Sequence, residues 1–265
     1  MPAPFNALKA ALSAGKITRG LWLSLGQVAL AEIAGTAGFD WCMIDAEHGP
    51  SGVPEILTQL RALENGNTAG AVRLPMDQPW LIKKALDIGV QTLLIPMVNT
   101  ADQARAIVAA TRYPPAGIRG TGGSVIRAAD YGKSPDYART ANDQICVLVQ
   151  IETGQAMDNI ESIAAVDGID GLFIGPADLA ADLAADRGLL GHSDARLEAD
   201  ILAALTRIRA AGVAAGIIGY DRDQLASYVK AGANFVGVGA DGPMISRLFA
   251  TAAADFTALT PKSTT

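Results

Sequence analysis

Two short aliphatic runs in this sequence each lead to a carboxylate. The run 145–149 continues through Gln150 to Glu152, and the run 171–174 is soon followed by Asp178. Apolar runs bounded by polar residues in this way are typical of strands buried on both faces. Two carboxylates at the rim of one hydrophobic core repel each other unless a cation lies between them, and a hard divalent cation with oxygen ligands suits that position. Glu152 and Asp178 are therefore the candidate metal ligands.

Four further residues of types used in catalysis break the aliphatic pattern of other predicted strands. They are Trp22 within the first strand, Asp45 and His48 after the second, and Arg73 in the third. A charged side chain inside an aliphatic strand costs on the order of several kcal/mol unless it is paired or binds metal. Taken singly, Asp45 and Arg73 could form a structural ion pair, and His48 could be an ordinary loop residue. Their common position at strand ends favours one shared site.

Simpler explanations exist for the two metal-ligand candidates and for the second histidine. Aspartate is a good N-cap residue, so Glu152 and Asp178 could instead cap the helices that follow them. The second of the two histidines, His192, lies in a polar excursion of the chain, and no role is predicted for it.

The candidate residues together suit one kind of chemistry. A cation held by only two carboxylates keeps positions open for water and for a 2-oxo acid, whose carboxylate and ketone oxygens form a five-membered chelate. Arg73 would add permanent positive charge beside the ketone oxygen. His48 would act as the base, with Asp45 fixing its tautomer. Lys83 and Lys84 fall on a helical pattern, so the sequence offers no strand-borne lysine for a Schiff base.

The elements that must position these residues form eight repeats of a strand followed by a helix, which predicts a (β/α)8 barrel. In such a barrel the C-terminal ends of the strands form the face that carries the active site. A doubly wound open sheet is the competing architecture. No linker divides the chain, so residues 1–255 are predicted to form a single domain, with a loosely ordered tail at 256–265. The predicted strands are 21–25, 39–45, 70–75, 91–96, 145–152, 171–174, 213–218 and 235–238.

Two polar excursions, 114–143 and 179–192, interrupt the repeat. The first contains the glycine-rich stretch 117–123, which lacks the Lys-Ser/Thr pair of a P-loop and is interpreted as a flexible loop over the site. Residues 237–242 spell the GxGxxG dinucleotide fingerprint, but that fingerprint requires a βαβ unit with an acidic residue about 20 residues further on. No nucleotide cofactor is therefore expected, although a small anion could bind at that turn.

The composition of the chain limits which binding partners and which cellular compartment are expected for the protein. The 265-residue chain has a net charge of −6 and a pI of about 4.9, which argues against nucleic acid as the main partner. Cys42 and Cys146 lie in apolar runs, as expected for buried reduced thiols in a reducing cytoplasm. No apolar run reaches the roughly 18 residues of a membrane span, and residues 1–16 lack a signal-peptide core. These features predict a soluble, cytoplasmic protein.

Four ordered motifs contain most of the candidate site residues. In them the sequence resembles the metal-dependent class II pyruvate aldolases of the HpcH/HpaI family, such as 4-hydroxy-2-oxoheptanedioate and 2-keto-3-deoxy-L-rhamnonate aldolases. The resemblance extends from Trp22 to the last helix. The motifs are Asp45-x-Glu47-His48-Gly49-Pro50, Val72-Arg73-Leu74-Pro75, Gln150-Ile151-Glu152-Thr153 and Gly175-Pro176-Ala177-Asp178-Leu179.

This resemblance implies a barrel of the phosphoenolpyruvate/pyruvate type that catalyses reversible aldol cleavage of 4-hydroxy-2-oxo acids. The products would be pyruvate or hydroxypyruvate and an aldehyde. It also implies that Glu152 and Asp178 bind Mg²⁺, Mn²⁺ or Co²⁺, and that Arg73 and Gln150 lie near the ketone oxygen of the donor.

The resemblance further implies that Trp22 and Ala177 line the substrate site. The pair of Asp45 and His48 would transfer protons through a water on the metal. Members of the family are typically hexamers, so a homo-hexamer is expected, with the C-terminal helix exchanged between subunits. Two other classes stay open at this point: a lyase for CoA esters such as citramalyl-CoA or malyl-CoA, and a non-catalytic barrel that binds 2-oxo acids.

Overall fold

The computed structural model describes residues 1–183 and 194–259, and at its centre eight parallel strands form a closed barrel. The strands follow one another around the barrel in chain order, and the last pairs with the first. This closed ring confirms the predicted (β/α)8 architecture and excludes the open sheet. The strands are β1 (Thr18–Leu23), β2 (Trp41–Asp45), β3 (Ala69–Arg73), β4 (Thr92–Ile95), β5 (Cys146–Ile151), β6 (Gly171–Ile174), β7 (Ala214–Ile218) and β8 (Phe235–Ala240).

Helices alternate with the strands, and their apolar faces pack with aliphatic strand residues in one continuous core. Within the described residues, no helix combines the length and the apolarity needed to cross a membrane. The helices are α1 (Ala7–Ser13), α2 (Val28–Thr36), α3 (Val53–Leu63), α4 (Pro79–Asp87), α5 (Ala101–Thr111), α6 (Tyr137–Gln144), α7 (Gly154–Asp158), α8 (Ile160–Ala164), α9 (Pro176–Leu183), α10 (Ala195–Ala210), α11 (Arg222–Lys230) and α12 (Asp241–Leu259).

The inside of the barrel is filled by a second cluster of side chains, most of them large. The ring centroids of Trp41 and Phe235 lie 3.9 Å apart, and those of Trp22 and Phe173 lie 5.2 Å apart. Two leucines of α1 join this cluster, so the helix that precedes β1 closes the N-terminal end of the barrel. The barrel interior is therefore a packed core, and room for a ligand remains only above it, at the C-terminal ends of the strands.

The register of the strands places the candidate site residues beside one another. Asp45 is paired with Arg73 where β2 and β3 end. Ile151 is paired with Ile174 where β5 and β6 end, so Glu152 comes next to Gly175. Because all eight strands are parallel, these ends lie at the same face of the barrel.

Both cysteines are buried and neither forms a disulfide, as predicted. Cys42 lies in β2 and Cys146 in β5, and burial raises the pKa of the Cys42 thiol to about 12. Buried thiols of this kind stay protonated and unreactive, so they act as small apolar core residues.

The excursion 114–143 lies at the N-terminal face of the barrel, which shows that the interpretation of residues 117–123 as a loop over the site was wrong. It leads from the end of α5 to the start of β5. A connection from a helix to the next strand returns to the face opposite the active site. Two short 3₁₀ helices, Gly123–Val125 and Arg127–Gly132, precede α6 within it.

Side-chain packing holds this excursion against the body of the protein. Ile126 and Tyr137 belong to a small buried cluster that also includes Ala3 from the N-terminal segment. The buried guanidinium of Arg119 lies 3.0 Å from a carboxylate oxygen of Asp87, at the end of α4. The excursion is thus a packed part of the fold rather than a flexible lid.

The remaining differences from the predicted elements are at their ends. β1 begins at Thr18 rather than at 21, and the helical segment that follows β5 consists of two helices, α7 and α8, that meet at Asn159. Residues 179–183, which were predicted to begin a polar excursion, belong instead to α9. Asp178 therefore lies in the first turn of that helix and not directly at a strand end. His192 lies outside the described residues.

Helix α12 is longer than predicted and only its beginning is buried. It continues to Leu259, although a loosely ordered tail was predicted to begin at 256. Leu248, Phe249, Phe256 and Leu259 are between 66% and 80% exposed. The described part of the chain therefore leaves an apolar surface of this helix uncovered, and large uncovered apolar surfaces commonly mark protein contacts.

Candidate active site

A cavity of about 260 Å³ opens at the C-terminal ends of the strands and brings together all eight predicted site residues. Larger cavities of about 690 and 640 Å³ lie near the N-terminal segment and the ends of the helices, without this concentration of charged groups. The candidate site is therefore recognised by the charged side chains that meet in it and not by the volume of the cavity. The predicted residues that line it are Trp22, Asp45, His48, Arg73, Gln150, Glu152, Ala177 and Asp178.

Arg73 is the most heavily paired side chain of the cavity. Its Nε and Nη2 atoms donate to the two carboxylate oxygens of Asp45 over 3.0 and 2.6 Å, and its Nη1 lies 2.8 Å from a carboxylate oxygen of Glu47. Its guanidinium carbon lies 5.9 Å from the centre of the Trp22 ring. These contacts fix the plane of the guanidinium at the end of β3.

The expected pairing of Asp45 with the His48 ring is not present. Both carboxylate oxygens of Asp45 accept from Arg73, and one of them also accepts the backbone N–H groups of Glu47 and His48, over 3.0 and 3.2 Å. The imidazole is exposed, and it forms no hydrogen bond with another described residue. Asp45 therefore orients Arg73 and the loop backbone, which is the ion-pair alternative raised from the sequence.

Glu152 is held in place from three sides. Its Oε1 accepts from the side-chain amide of Gln150 over 2.7 Å, and its Oε2 accepts the backbone N–H of Met97 over 2.9 Å. Met97 has a φ of 56°, an unusual conformation for a residue other than glycine. A Cβ at Gly175 would lie 2.2 Å from Oε1, so only glycine lets the carboxylate approach this closely.

Two carboxyl groups at the cavity, those of Glu152 and Glu47, have raised pKa values. Burial raises the pKa of Glu152 to about 7, and the negative charges of Glu47 and Asp178 raise it as well. Burial also raises the pKa of Glu47, although Arg73 lowers it in part. Glu152 is buried, and a positive charge beside a buried carboxyl favours its ionised form.

The raised pKa of Glu152 predicts how stability depends on pH when divalent cations are chelated. A carboxyl whose pKa is higher in the folded state stabilises the protein below about pH 4.5, and this contribution is lost as the pH rises through about 7. We expect the free energy of unfolding to fall by about 3 kcal/mol from this group over that interval. Urea unfolding in chelator at pH 5 and pH 8 measures the change.

Glu152→Gln is the comparison that isolates the contribution of this carboxyl. The glutamine does not titrate, so the variant should lose less stability than the unsubstituted protein between the two pH values. An equal loss in both proteins would show that other groups produce the pH dependence.

The residues around Glu152 provide the oxygen ligands that a hard divalent cation prefers. Gln150 Oε1 is buried and has no hydrogen-bond donor among the described residues. Across residues 1–183 and 194–259, no three His, Cys, Asp or Glu side chains are grouped closely enough to hold a metal by themselves. The two candidate carboxylates, Glu152 and Asp178, and the amide oxygen of Gln150 are of the chemical type that would suit such a cation.

The turn between β8 and α12 is filled by the chain's own carboxylate. Asp241 is buried, and it accepts the hydroxyl and backbone N–H of Ser24 over 2.6 and 2.8 Å and the N–H of Gly242 over 2.8 Å. The small anion that the glycine-rich turn could have bound would meet this negative charge. The turn instead joins the β1 end of the cavity to α12.

Sequence reasoning did not assign a role to two residues that the fold brings to the site. Glu47 was quoted within a motif, but its ion pair with Arg73 depends on how the loop after β2 folds back. Tyr220 lines the cavity from the loop after β7, where no charged motif marks the strand end. The remaining additional lining residues are Ser24, Phe173, Gly175, Pro176, Ile218, Ala240 and Pro243.

Comparison with known proteins agrees with this geometry. A model of the HpcH/HpaI aldolase/citrate lyase family matches residues 18–247. A hydroxypyruvate/pyruvate aldolase of Agrobacterium fabrum is 50% identical over 242 residues, which is 91% of this chain and 90% of the relative. A 4-hydroxy-2-oxo-heptane-1,7-dioate aldolase of Salmonella dublin is 50% identical over 243 residues, 91% of each chain.

A solved structure supports the same family assignment. The HpcH/HpaI aldolase/citrate lyase family protein from Burkholderia cenocepacia J2315 superposes with a TM-score of 0.89 at 38% sequence identity, and the match covers 95% of this chain and 99% of that one. The chain therefore belongs to the HpcH/HpaI aldolase/citrate lyase family, as its motifs predicted, and is an aldolase, a carbon–carbon lyase.

Proposed function

We propose that this aldolase cleaves 4-hydroxy-2-oxo acids reversibly to an aldehyde and a 2-oxo acid, and that pyruvate and hydroxypyruvate are its donors. Two relatives that are each 50% identical to it bear the names hydroxypyruvate/pyruvate aldolase and 4-hydroxy-2-oxo-heptane-1,7-dioate aldolase. The observation that carries the proposal is that one cavity contains the paired guanidinium of Arg73, the buried carboxylate of Glu152 and the unpaired amide oxygen of Gln150.

We assign the binding of the donor to the deepest polar groups of the cavity. Arg73, Gln150 and Glu152 are each at most 8% exposed, so a donor that reaches them is largely removed from water. Glu152 and Asp178 would hold a divalent cation such as Mg²⁺, Mn²⁺ or Co²⁺, which when bound supplies Lewis-acid polarisation of the ketone. The guanidinium of Arg73 stabilises negative charge that develops on the donor's ketone oxygen.

We assign proton transfer to His48. The imidazole lines the cavity and is exposed, and its ring is not committed to another described side chain, so it is free to take or give a proton. A neutral imidazole has one nitrogen that accepts a proton and one that donates it, which suits both directions of a reversible aldol reaction. A barrel that only bound 2-oxo acids would have no need of such a group.

The CoA-ester lyase alternative has less support in this cavity. Binding of CoA requires basic groups for its phosphates, and the basic residues among the described residues lining the cavity are Arg73 and His48. Arg73 is buried and is assigned to the donor, so it is not available to a CoA phosphate.

Metal dependence tests the proposed function. Chelator should abolish aldol cleavage and Mn²⁺, Co²⁺ or Mg²⁺ should restore it, whereas borohydride added with pyruvate should leave the enzyme active. Mn²⁺ at a hundredfold excess over its Kd stabilises the folded state by about 2.7 kcal/mol, which corresponds to a rise in Tm of roughly 5–10 °C. Glu152→Gln should remove most of that rise. A lysine adduct trapped by borohydride would contradict the proposal.

We further propose that residues 1–255 act as one catalytic domain in a homo-hexamer in which α12 packs on a neighbouring subunit. The exposed Leu248, Phe249, Phe256 and Leu259 support this arrangement because burial of such side chains typically contributes about 1.5–3 kcal/mol each.

A charge placed on this apolar surface tests the assembly. Phe249→Asp should shift the protein to smaller species in light scattering after size exclusion, because a carboxylate cannot be buried in an apolar contact without a partner. Val125→Asp, at a residue that is 78% exposed in the excursion, is the matched control and should keep the original size. Equal sizes for all three proteins would count against contact through α12.

A further inference from the structure

Tyr220 lines the cavity but takes no part in the chemistry assigned above. It lies in the loop between β7 and α11 and is 58% exposed. Its hydroxyl forms no hydrogen bond with another described residue. Partial desolvation at the wall of the cavity raises the pKa of the phenol, so the hydroxyl stays protonated near neutral pH and can both donate and accept. An uncommitted phenol therefore faces the mouth of the site.

The backbone on both sides of Tyr220 is fixed. The N–H of Gly219 donates to the carbonyl of Gly237 in β8 over 2.9 Å. Asp221 caps α11, and its side chain accepts the N–H groups of Asp223 and Gln224 over 2.9 and 3.1 Å. Only the side-chain torsions of the tyrosine remain to be ordered by a ligand, which keeps the entropic cost of binding to it low.

The depth of the groups in the cavity separates two parts of the site. The donor groups Arg73, Gln150 and Glu152 are buried, whereas Tyr220 and His48 are exposed at the opening. If the donor occupies the deep part, the second reactant has to approach from the opening. There a phenol offers its hydroxyl to polar substituents and its ring to the carbon chain.

We propose that Tyr220 binds the aldehyde and determines specificity, its hydroxyl favouring aldehydes that carry a hydroxyl group next to the carbonyl. This inference rests on the proposed aldolase function. It adds a preference among aldehydes that depends on the hydroxyl oxygen of Tyr220. Tyr220→Phe removes that oxygen and keeps the ring, so it separates hydrogen bonding from packing.

The test compares two aldehydes of similar size with pyruvate as donor. For glyceraldehyde, Tyr220→Phe should lower kcat/KM about tenfold, the effect of one lost hydrogen bond, and for propanal it should leave kcat/KM unchanged. Tyr131→Phe is the matched control because Tyr131 is 57% exposed and lies in the excursion at the opposite face. The control should leave both values unchanged.

Proton exchange at C3 of pyruvate in D₂O, without aldehyde, tests the proposed aldolase function separately from the role of Tyr220. Tyr220→Phe should exchange at the wild-type rate, since the aldehyde takes no part in that step. An unchanged preference for glyceraldehyde over propanal, or an equal loss for both, would overturn the role of Tyr220 alone. A wild-type protein that neither exchanges protons nor cleaves 4-hydroxy-2-oxo acids would overturn the proposed function with it.

Discussion

Replacement of Arg73 by lysine is expected to lower kcat for aldol cleavage about 10²–10³-fold, although the positive charge is kept. The guanidinium makes two parallel hydrogen bonds to Asp45 and a third contact to Glu47. An ammonium group is a point charge and cannot reproduce this planar arrangement, so it would not present its charge to the ketone oxygen from the same direction. Steady-state kinetics with saturating Mn²⁺ and several 2-oxo acid substrates measures the loss.

Arg119→Lys is the control for the general effect of replacing a buried arginine. Arg119 is 2% exposed and pairs with Asp87, but it lies in the excursion at the opposite end of the barrel. This variant should lower Tm and leave kcat unchanged. If Arg73→Lys kept kcat within a few-fold of the wild-type value, Arg73 would be a structural partner of Asp45 and not a catalytic residue.

His48→Ala is expected to slow proton exchange at C3 of the donor about 10²–10⁴-fold, the range for loss of a general base. Because the ring is exposed and makes no hydrogen bond with a described residue, Tm should change little. The binding of Mn²⁺ and of pyruvate should also be retained. Exchange is followed by NMR as the methyl signal of pyruvate disappears in D₂O.

His192→Ala, at the chain's second histidine, is the matched control, since no role was predicted for that residue. Exchange at the wild-type rate in His48→Ala would show that His48 is not the base for this step. A slow variant whose affinity for pyruvate has also fallen would instead point to a binding role for the imidazole.

The parts of the fold that the sequence predicted correctly are those governed by strand periodicity. The aliphatic runs before Glu152 and before Gly175 are strands. A closed barrel of parallel strands brings the ends of these strands to one face regardless of loop conformation. This is why all eight predicted site residues line one cavity.

The contacts that were not predicted depend on loop conformation. Asp45 was assigned to His48 because the two are close in sequence, but the strand register gives Asp45 a closer partner in Arg73. Tyr220 was missed because a lone tyrosine after a strand carries no spacing signal.

The excursion 114–143 was misplaced for a related reason. Its glycines indicate a loop, yet only its position between a helix and the following strand shows which face of the barrel it occupies. The length of α12 could not be predicted either, because its exposed apolar residues have no pattern of burial within their own chain.

The packed barrel interior has a consequence for the order of events in turnover. The stacked rings of Trp41 and Phe235, with the leucines of α1 below them, close the barrel axis beneath the cavity. Both products of a cleavage therefore leave by the same opening. If the 2-oxo acid forms at buried Arg73 and Gln150, as proposed, it leaves only after the aldehyde in front of it has gone. Product inhibition should accordingly be competitive for the 2-oxo acid and mixed for the aldehyde, the pattern of ordered release.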